Sequence, residues 1–361
     1  MEKETKIAVA LSGGVDSATT AALLKEKGYF VAGFFMQNWS SPIDKRGFCP
    51  TVADVATARM VAHQLKIPFY VLDFEKEYYK KVIEPFLNDY RKGLTPNPDV
   101  LCNKFIKFGL FLETAKKLGF EKIATGHYAL IKEKDGVFHL YKGIDRGKDQ
   151  SYFLWTLTQK ELGLTLFPVG GFYKKEIRLM ACKRGLINAH RKDSQGICFI
   201  GPIEVSRFLQ RFLPKEKGPV RDENGKILGY HQGVWFYTIG QREGLGISGT
   251  VQPLYVAYKD VRTNSLYVVP REHPWLFAKE FKVRDTSFVQ REPKEALRVE
   301  VVIRYHSQPL RASLFLEGGQ FSLVLDEPAW AVTEGQSAVF YQEEELLGGG
   351  IIDKVLQIRG E

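Results

Sequence analysis

Cysteine is scarce in this chain, four among 361 residues, and the four (Cys49, Cys102, Cys182 and Cys198) stand far apart. That spacing excludes a disulfide framework and a C-x-x-C zinc pattern, so a bond between any two of them is expected to be transient and catalytic. Long apolar runs are missing too. No stretch of 18 occurs, and no membrane span is expected. The opening residues, MEKETKIAVA, lack the charged-then-apolar order of a secretory signal and the Arg/Ser-rich, acid-poor character of an organellar leader, which makes a cytoplasmic location the expectation. There is no internal repeat and no low-complexity tract. Of the commoner nucleotide loops, G-x-x-x-x-G-K-[ST] is absent and no G-x-G-x-x-G follows a strand.

Acidic charge is in deficit, 42 Asp+Glu against 51 Lys+Arg, for a net +9. An excess of this size is common, but it favours a polyanionic partner. The basic residues concentrate in KKEIRLMACKRG (174–185), HRKD (190–193) and SRFLQRFLPKEKGPVR (206–221). A solvated helix face explains each cluster equally well on its own. The remaining composition, 44% apolar and 26% charged, is that of a globular protein with two or three domains.

What stands out against this background is VALSGGVDSATTAALL, residues 9–24. An apolar run from Ile7 to Leu11 reads as a buried strand and Ala18 to Leu24 as helix, so SGGVDS occupies a strand-to-helix turn. Gly13 and Gly14 allow a tight turn whose amides point inward at a helix N-terminus, which makes an anion site. Ser12 and Ser17 add hydroxyl donors, and Asp16 offers a carboxylate for a Mg²⁺ bridging phosphate oxygens. The alternative is a Gly-Gly turn with Asp16 or Ser17 as helix N-cap.

Through about residue 200, strands (7–10, 30–36, 69–74, 122–125) alternate with helices (18–27, 53–66, 75–91, 104–118). This predicts a parallel sheet covered on both faces, domain 1–200. Beyond the proline-bounded PKEKGP, the period changes to two, predicting a small central domain (201–280) and a C-terminal antiparallel β-barrel (281–361). Ligands of such a parallel sheet bind at the strands' carboxyl ends. The backbones of Met36 and Gly126 are expected to meet an adenine there.

In GLTPNPDVLCNKFIKFG (93–109), Pro96 and Pro98 predict a rigid loop ending as a helix begins near Asn103. Cys102 is then expected beside a helix N-terminus, where thiols become reactive, with Asp99 as a candidate acid/base three residues before it; the alternative is a buried structural cysteine after an Asp cap. Cys198, in RKDSQGICFIGP, reads as a mobile loop thiol in basic surroundings, suited to meet Cys102 during turnover. Cys182 reads as a small core residue. Nothing is assigned to Cys49.

SGGVDS resembles the pyrophosphate loop of N-type ATP pyrophosphatases. Together with NPDVLCN, ATGHYA, KDQSYFLW (148–155), DSQGICFIG and YTIGQREGLGI (237–247), the chain resembles the tRNA-specific 2-thiouridylase (MnmA/TrmU) family from about residue 5 onward. The resemblance implies an α/β pyrophosphatase-loop (adenine nucleotide alpha hydrolase-like) domain, a small central domain and a C-terminal β-barrel, with tRNA held across all three. It implies ATP-dependent 2-thiolation of the wobble uridine of tRNA anticodons by a monomer, with sulfur from a persulfide donor (a cysteine desulfurase or relay protein) and a cellular reductant. By motif, Ala10, Leu11, Ser12, Gly13, Gly14, Val15, Asp16, Ser17, Met36 and Gly126 bind ATP. Asn97, Pro98 and Asp99 meet the target base, and Lys148, Asp149, Gln150, Arg304 and Tyr305 contact tRNA. Cys102 is the nucleophile, Cys198 carries the persulfide, and the two close a transient disulfide. Where the family has a basic residue followed by Asn-Trp-Asp, this chain has Gln37, Asn38, Trp39 and Ser40. Arg304 and Tyr305, read as neighbours on a strand, would face opposite ways. Three other readings share some of these features: an amide-forming enzyme with the same loop, which needs an amine instead of tRNA; an RNA-binding module indifferent to loss of both cysteines; and a thiol redox protein.

Overall fold

The computed structural model describes residues 5–40, 50–193, 205–249 and 252–357. Cys49 and Cys198 lie outside them.

Four short apolar segments, β1 (Lys6–Ala10), β2 (Phe30–Gln37), β3 (Phe69–Asp73) and β4 (Lys122–Ala124), pair in parallel in the order β3-β2-β1-β4. Ile7, Val9 and Leu11 pack on one face against α1 (Val15–Glu26) and α2 (Pro50–Gln64), whereas Ala8 and Ala10 pack on the other against helices spanning 75–117. Burial on both faces explains why β1 and β2 read as continuous apolar runs, whereas β3, at the sheet edge, is partly exposed. A fifth strand, Thr165–Leu166, extends the sheet beyond β4. At two residues it is too short to carry a periodic signal.

Among the described residues up to 193 the alternation of strand and helix is broken once. Residues Ala129–Lys134 and Val137–Lys142 form an antiparallel hairpin. Its second strand pairs with the C-terminal barrel, Leu140 opposite Leu346, so the first domain contributes backbone hydrogen bonds to the last one. The central domain has a four-stranded sheet containing one parallel pair, Leu266 opposite Val220, among antiparallel ones. Six strands from Phe277–Phe288 to Glu345–Gln357 then close into an antiparallel barrel, first strand against last. Closure removes the exposed edges of this sheet.

Candidate active site

The chain runs from β1 outward to β2 and β3, then crosses back to β4 on the other side of β1. The end of β1 is therefore a topological switch point, where open α/β sheets leave a crevice. SGGVDS sits there. Gly13 has φ +80°, and a Cβ on it would lie 2.7 Å from the Asp54 carbonyl oxygen, so glycine is required on two counts. Gly14 has an ordinary φ of −77° and is itself the helix N-cap, which rules out Asp16 or Ser17 as the cap. Ser17 Oγ accepts from the Ser12 amide (3.2 Å) and donates to the Gly14 carbonyl (3.1 Å), and Ser12 Oγ accepts from the Gly14 amide (3.4 Å). The two hydroxyls thereby hold the turn that presents the first amides of α1. Met36 is buried at the end of β2. Gly126, just after β4, lies so close to the helix start that a Cβ would be 2.9 Å from the Ser17 amide nitrogen.

A network that no local motif announces covers this loop. Lys174, the first residue of the helix Lys174–Lys183, donates to both Asp16 oxygens (2.6 and 2.7 Å) and reaches Asp193 at 3.0 Å. Tyr128 donates its hydroxyl to Asp16 (2.8 Å), and burial together with the Asp16 carboxylate pushes its phenol up, which keeps it a donor. Asp193 also accepts from Lys148 (2.7 Å) and Arg178. Burial would raise its carboxyl, but hydrogen bonds from Lys148 and Lys174 outweigh that and hold it at about 2. Asn188 and Arg191 donate to the Gly13 carbonyl at 2.9 and 3.2 Å, and Arg191 is paired with Asp54. Two of the basic clusters, around 174–185 and 190–193, thus supply cations to the phosphate loop. Their charge signalled an anion; their partners lay too far along the chain to be read.

The segment around Cys102 begins its helix earlier than the prolines suggested. Asn97 is the N-cap, its side chain accepting from the Asp99 amide (3.1 Å), and Pro98 takes the first helical position, where its missing N–H costs nothing. Helical backbone then continues through 117, with a π-helical stretch over Asn103–Phe111. Cys102 is therefore in the second turn, fully buried within the main hydrophobic core, and not at the helix start. Residues 98–102 pack on 79–83, in the helix that leaves the carboxyl end of β3. Cys102 thus sits on the helix that packs against the one following β3.

Next to it the expected base- and tRNA-contacting residues gather. Tyr152 donates to the Ser337 carbonyl (3.0 Å) and lies in hydrogen-bond range of Asn97. Tyr305 packs against Phe153 with ring centroids 4.4 Å apart and the planes tilted by 51°; burial first, then Asp149 and Asp99, pushes its phenol up to about 12. Arg304 and Tyr305 sit in the turn after strand Leu297–Val302, so strand alternation does not apply and both reach the same face region. Asp149 is half-buried and accepts from Gly143 N, Ser151 N and Ser151 Oγ. Gln150 accepts from the Tyr128 amide at 3.0 Å. Both side chains hold the turn that carries Lys148. Burial and nearby Lys107 keep His127 well below its ordinary range, with Thr125 Oγ1 2.7 Å away.

Cys182 is a correction. It is exposed on its helix, with Sγ 3.9 Å from His190 Nε2, because the core-facing positions are taken by Ile177 and Ala181.

Among the described residues no cluster of three or more His, Cys, Asp or Glu is arranged for a metal ion, and no helix is long and apolar enough to cross a membrane.

Family profiles match in succession: a tRNA methyl transferase HUP domain over residues 5–202, a tRNA methyl transferase PRC-barrel domain over 206–270, and an aminomethyltransferase beta-barrel domain over 278–352. A tRNA-specific 2-thiouridylase MnmA of Enterococcus faecalis is 46% identical over 362 residues, covering 98% of this chain and 96% of that one. One from Alkaliphilus oremlandii is 44% identical, covering 98% and 99%. A solved 4-thiouridine synthetase–RNA complex with bound ATP aligns over 54% of this chain and 45% of that one at 16% identity and a TM-score of 0.34, too distant to bear on function. With identity of this level along nearly its whole length, the chain belongs to the tRNA-specific 2-thiouridylase (MnmA) family.

Proposed function

We propose that this chain is a tRNA-uridine 2-sulfurtransferase that adenylates O2 of the wobble uridine with ATP and then replaces that oxygen with sulfur. What supports the site assignment is that the Ser-Gly-Gly turn follows the carboxyl end of β1 while the segment 98–102 packs on the helix that follows the carboxyl end of β3 in the same sheet. Uracil O2 is a poor leaving group, so its attack on the α-phosphorus of ATP, expelling pyrophosphate, must come first. Ser12 to Ser17 present amides and hydroxyls to the departing charge, and Lys174 and Arg191 stand behind them as cations. Asp16 is the one loop carboxylate able to hold Mg²⁺, which bound with ATP would neutralise phosphate charge; magnesium commonly takes one or two carboxylates plus phosphates. Since Asp16 is held by Lys174 and Tyr128, the lysine would be released toward phosphate as the carboxylate is taken up.

A persulfide on Cys198 then attacks C2 through its outer sulfur, and AMP leaves. Attack of the Cys102 thiolate on the inner sulfur breaks the S–S bond, leaves sulfur on C2, and closes a Cys102–Cys198 disulfide that two electrons from a cellular reductant reopen. Release of hydrosulfide by Cys102 before attack balances equally. Because Cys102 is buried, the segment around it has to open for either route. Asn97, Pro98 and Asp99 meet the incoming base, with Asp99 as the acid/base that moves a proton. Lys148 and Arg304 meet tRNA phosphates and Tyr305 offers a ring for stacking.

Nucleoside mass spectrometry of tRNA incubated with the protein, ATP, Mg²⁺ and a persulfide source tests this. 2-Thiouridine together with equal AMP and pyrophosphate is expected. AMP production that depends on an amine and leaves tRNA unchanged would overturn it.

A further inference from the structure

A continuous line of ion pairs runs from the turn that carries Lys148 to the phosphate loop. Lys148, its side chain 42% exposed, donates to Asp193 Oδ2 at 2.7 Å. Asp193 Oδ1 also accepts from Lys174 (3.0 Å) and from Arg178. Lys174, its side chain 11% exposed, holds both Asp16 oxygens at 2.6 and 2.7 Å. The outermost cation of the line is thus open to a polyanion, while the innermost is closed onto the carboxylate of the phosphate loop.

The main chain around these side chains is tied down. Asp145 accepts from the Lys174 amide through Oδ2 (2.9 Å) and from the Gly147 amide through Oδ1 (3.2 Å), and its carbonyl accepts from the Lys148 amide (2.9 Å). One residue therefore joins the start of the Lys174–Lys183 helix to the turn that carries Lys148, so the side chains can change partners while the backbone stays. Lys174 is the contested member. An ammonium has three N–H groups, and two oxygens of Asp16 and one of Asp193 share them. Each further cation on Asp193 repels the ammonium and lowers what that carboxylate gains from it, which leaves the lysine on Asp16.

From this line of pairs, and resting on the activity proposed above, we infer that Asp193 is a positioning residue through which tRNA binding opens the ATP site. When a tRNA phosphate takes Lys148, Asp193 is left with Lys174 and Arg178 and draws Lys174 toward itself. The lysine then leaves Asp16, keeps one N–H on Asp193 and turns the other two toward the nucleotide phosphates. Asp16 is freed for the magnesium that accompanies ATP. Coupling between two binding sites is reciprocal, so the nucleotide strengthens tRNA binding by the same factor. Such factors span about 5- to 150-fold, and the low end, about 5- to 10-fold, fits here, because Lys148, Asp193 and Arg178 are 31–42% exposed and solvent screens their pairs.

Calorimetry with magnesium and α,β-methylene-ATP, which cannot release pyrophosphate, reads the nucleotide Kd with and without saturating substrate tRNA. In the wild type, tRNA should tighten the nucleotide by about 5- to 10-fold, and filter binding of tRNA with and without nucleotide should return the same factor. Lys148→Ala, which imitates the withdrawn lysine, should bind the nucleotide without tRNA as tightly as the wild type binds it with tRNA, and gain nothing more when tRNA is added. Asp193→Asn should bind both ligands, the nucleotide no more tightly than the tRNA-free wild type whether or not tRNA is present. A merely structural Asp193 would instead weaken both ligands and leave the factor between them intact. That result, or Lys148→Ala with the nucleotide affinity of the tRNA-free wild type, overturns the relay; if Asp193→Asn does not fold, Lys148→Ala decides alone. Thiolation of the same tRNA by the wild type, with ATP and a persulfide source, is measured alongside. Its absence would overturn the activity itself, whereas thiolation with independent binding of tRNA and nucleotide would overturn the relay only.

Discussion

Replacing Lys174 with methionine separates a phosphate-clamping role from a merely structural one. In the present structure its amine neutralises Asp16 and Asp193 together, with its side chain 11% exposed and the two carboxylates 29% and 31% exposed. Removing one partner of a fully buried ion pair costs about 3–5 kcal/mol. Both carboxylates are partly solvated, Asp193 keeps Lys148 and Arg178, and Asp16 keeps Tyr128, so a loss of about 1–2 kcal/mol is the fitting figure. That lowers the Tm by only a few degrees in a protein of this size. Catalysis should suffer far more, because the cation that Asp16 releases is then missing where pyrophosphate charge develops; losing one such group costs about a hundredfold to a thousandfold. Pyrophosphate release at saturating tRNA and ATP, with a melting curve on the same preparation, reads both numbers. A folded Lys174→Met releasing pyrophosphate at the wild-type rate would refute the reasoning and leave Lys174 a structural counter-ion.

Asp193 carries a pH prediction: its carboxyl titrates at about 2 in the fold against about 3.9 in the unfolded chain. Its stabilisation is thus complete above about pH 4 and lost as pH falls through 2, and Asp193→Asn should flatten the acid side of a stability–pH curve over that window; an unchanged curve removes the assignment. Gly126→Ala puts a methyl 2.9 Å from the Ser17 amide, where backbone must shift at about 1–3 kcal/mol, so ATP affinity should fall in calorimetry while tRNA affinity holds. Lys148→Ala and Arg304→Ala should each reduce the slope of log K against log salt by roughly one unit for all substrate tRNAs; an unchanged slope would place that residue outside the phosphate contacts. Among the cysteines, Cys198→Ser should still adenylate tRNA but take no labelled sulfur, Cys102→Ser should take label without passing it on, and exposed Cys182→Ser should behave as wild type in rate and melting. After one turnover without reductant, peptide mapping should find Cys102 bonded to Cys198, and a bond to Cys182 instead would reject the carrier role.

Some of this protein is written in short stretches of sequence. A Ser-Gly-Gly turn between an apolar run and a helix is a local backbone property, decided by which residue tolerates φ near +80° and where the helix begins, so the strand-to-helix turn was legible within six residues. Strands β1 and β2 were legible for a similar reason, since burial on both faces leaves an unbroken apolar run; β3 shows a short apolar run although it is a half-exposed edge strand. Other features depended on neighbours distant in sequence. Lys174 meets Asp16 across 158 residues, and Tyr152 meets Ser337 across 185; a charge or a hydroxyl states its chemistry but not its partner. The helix start at Pro98 turned on Asn97 capping it, and the exposure of Cys182 on which face of its helix the sheet accepted. The hairpin of 129–142 looked like part of the first domain but added its strands to the last one, because a strand edge pairs with whatever backbone the packed domains bring beside it.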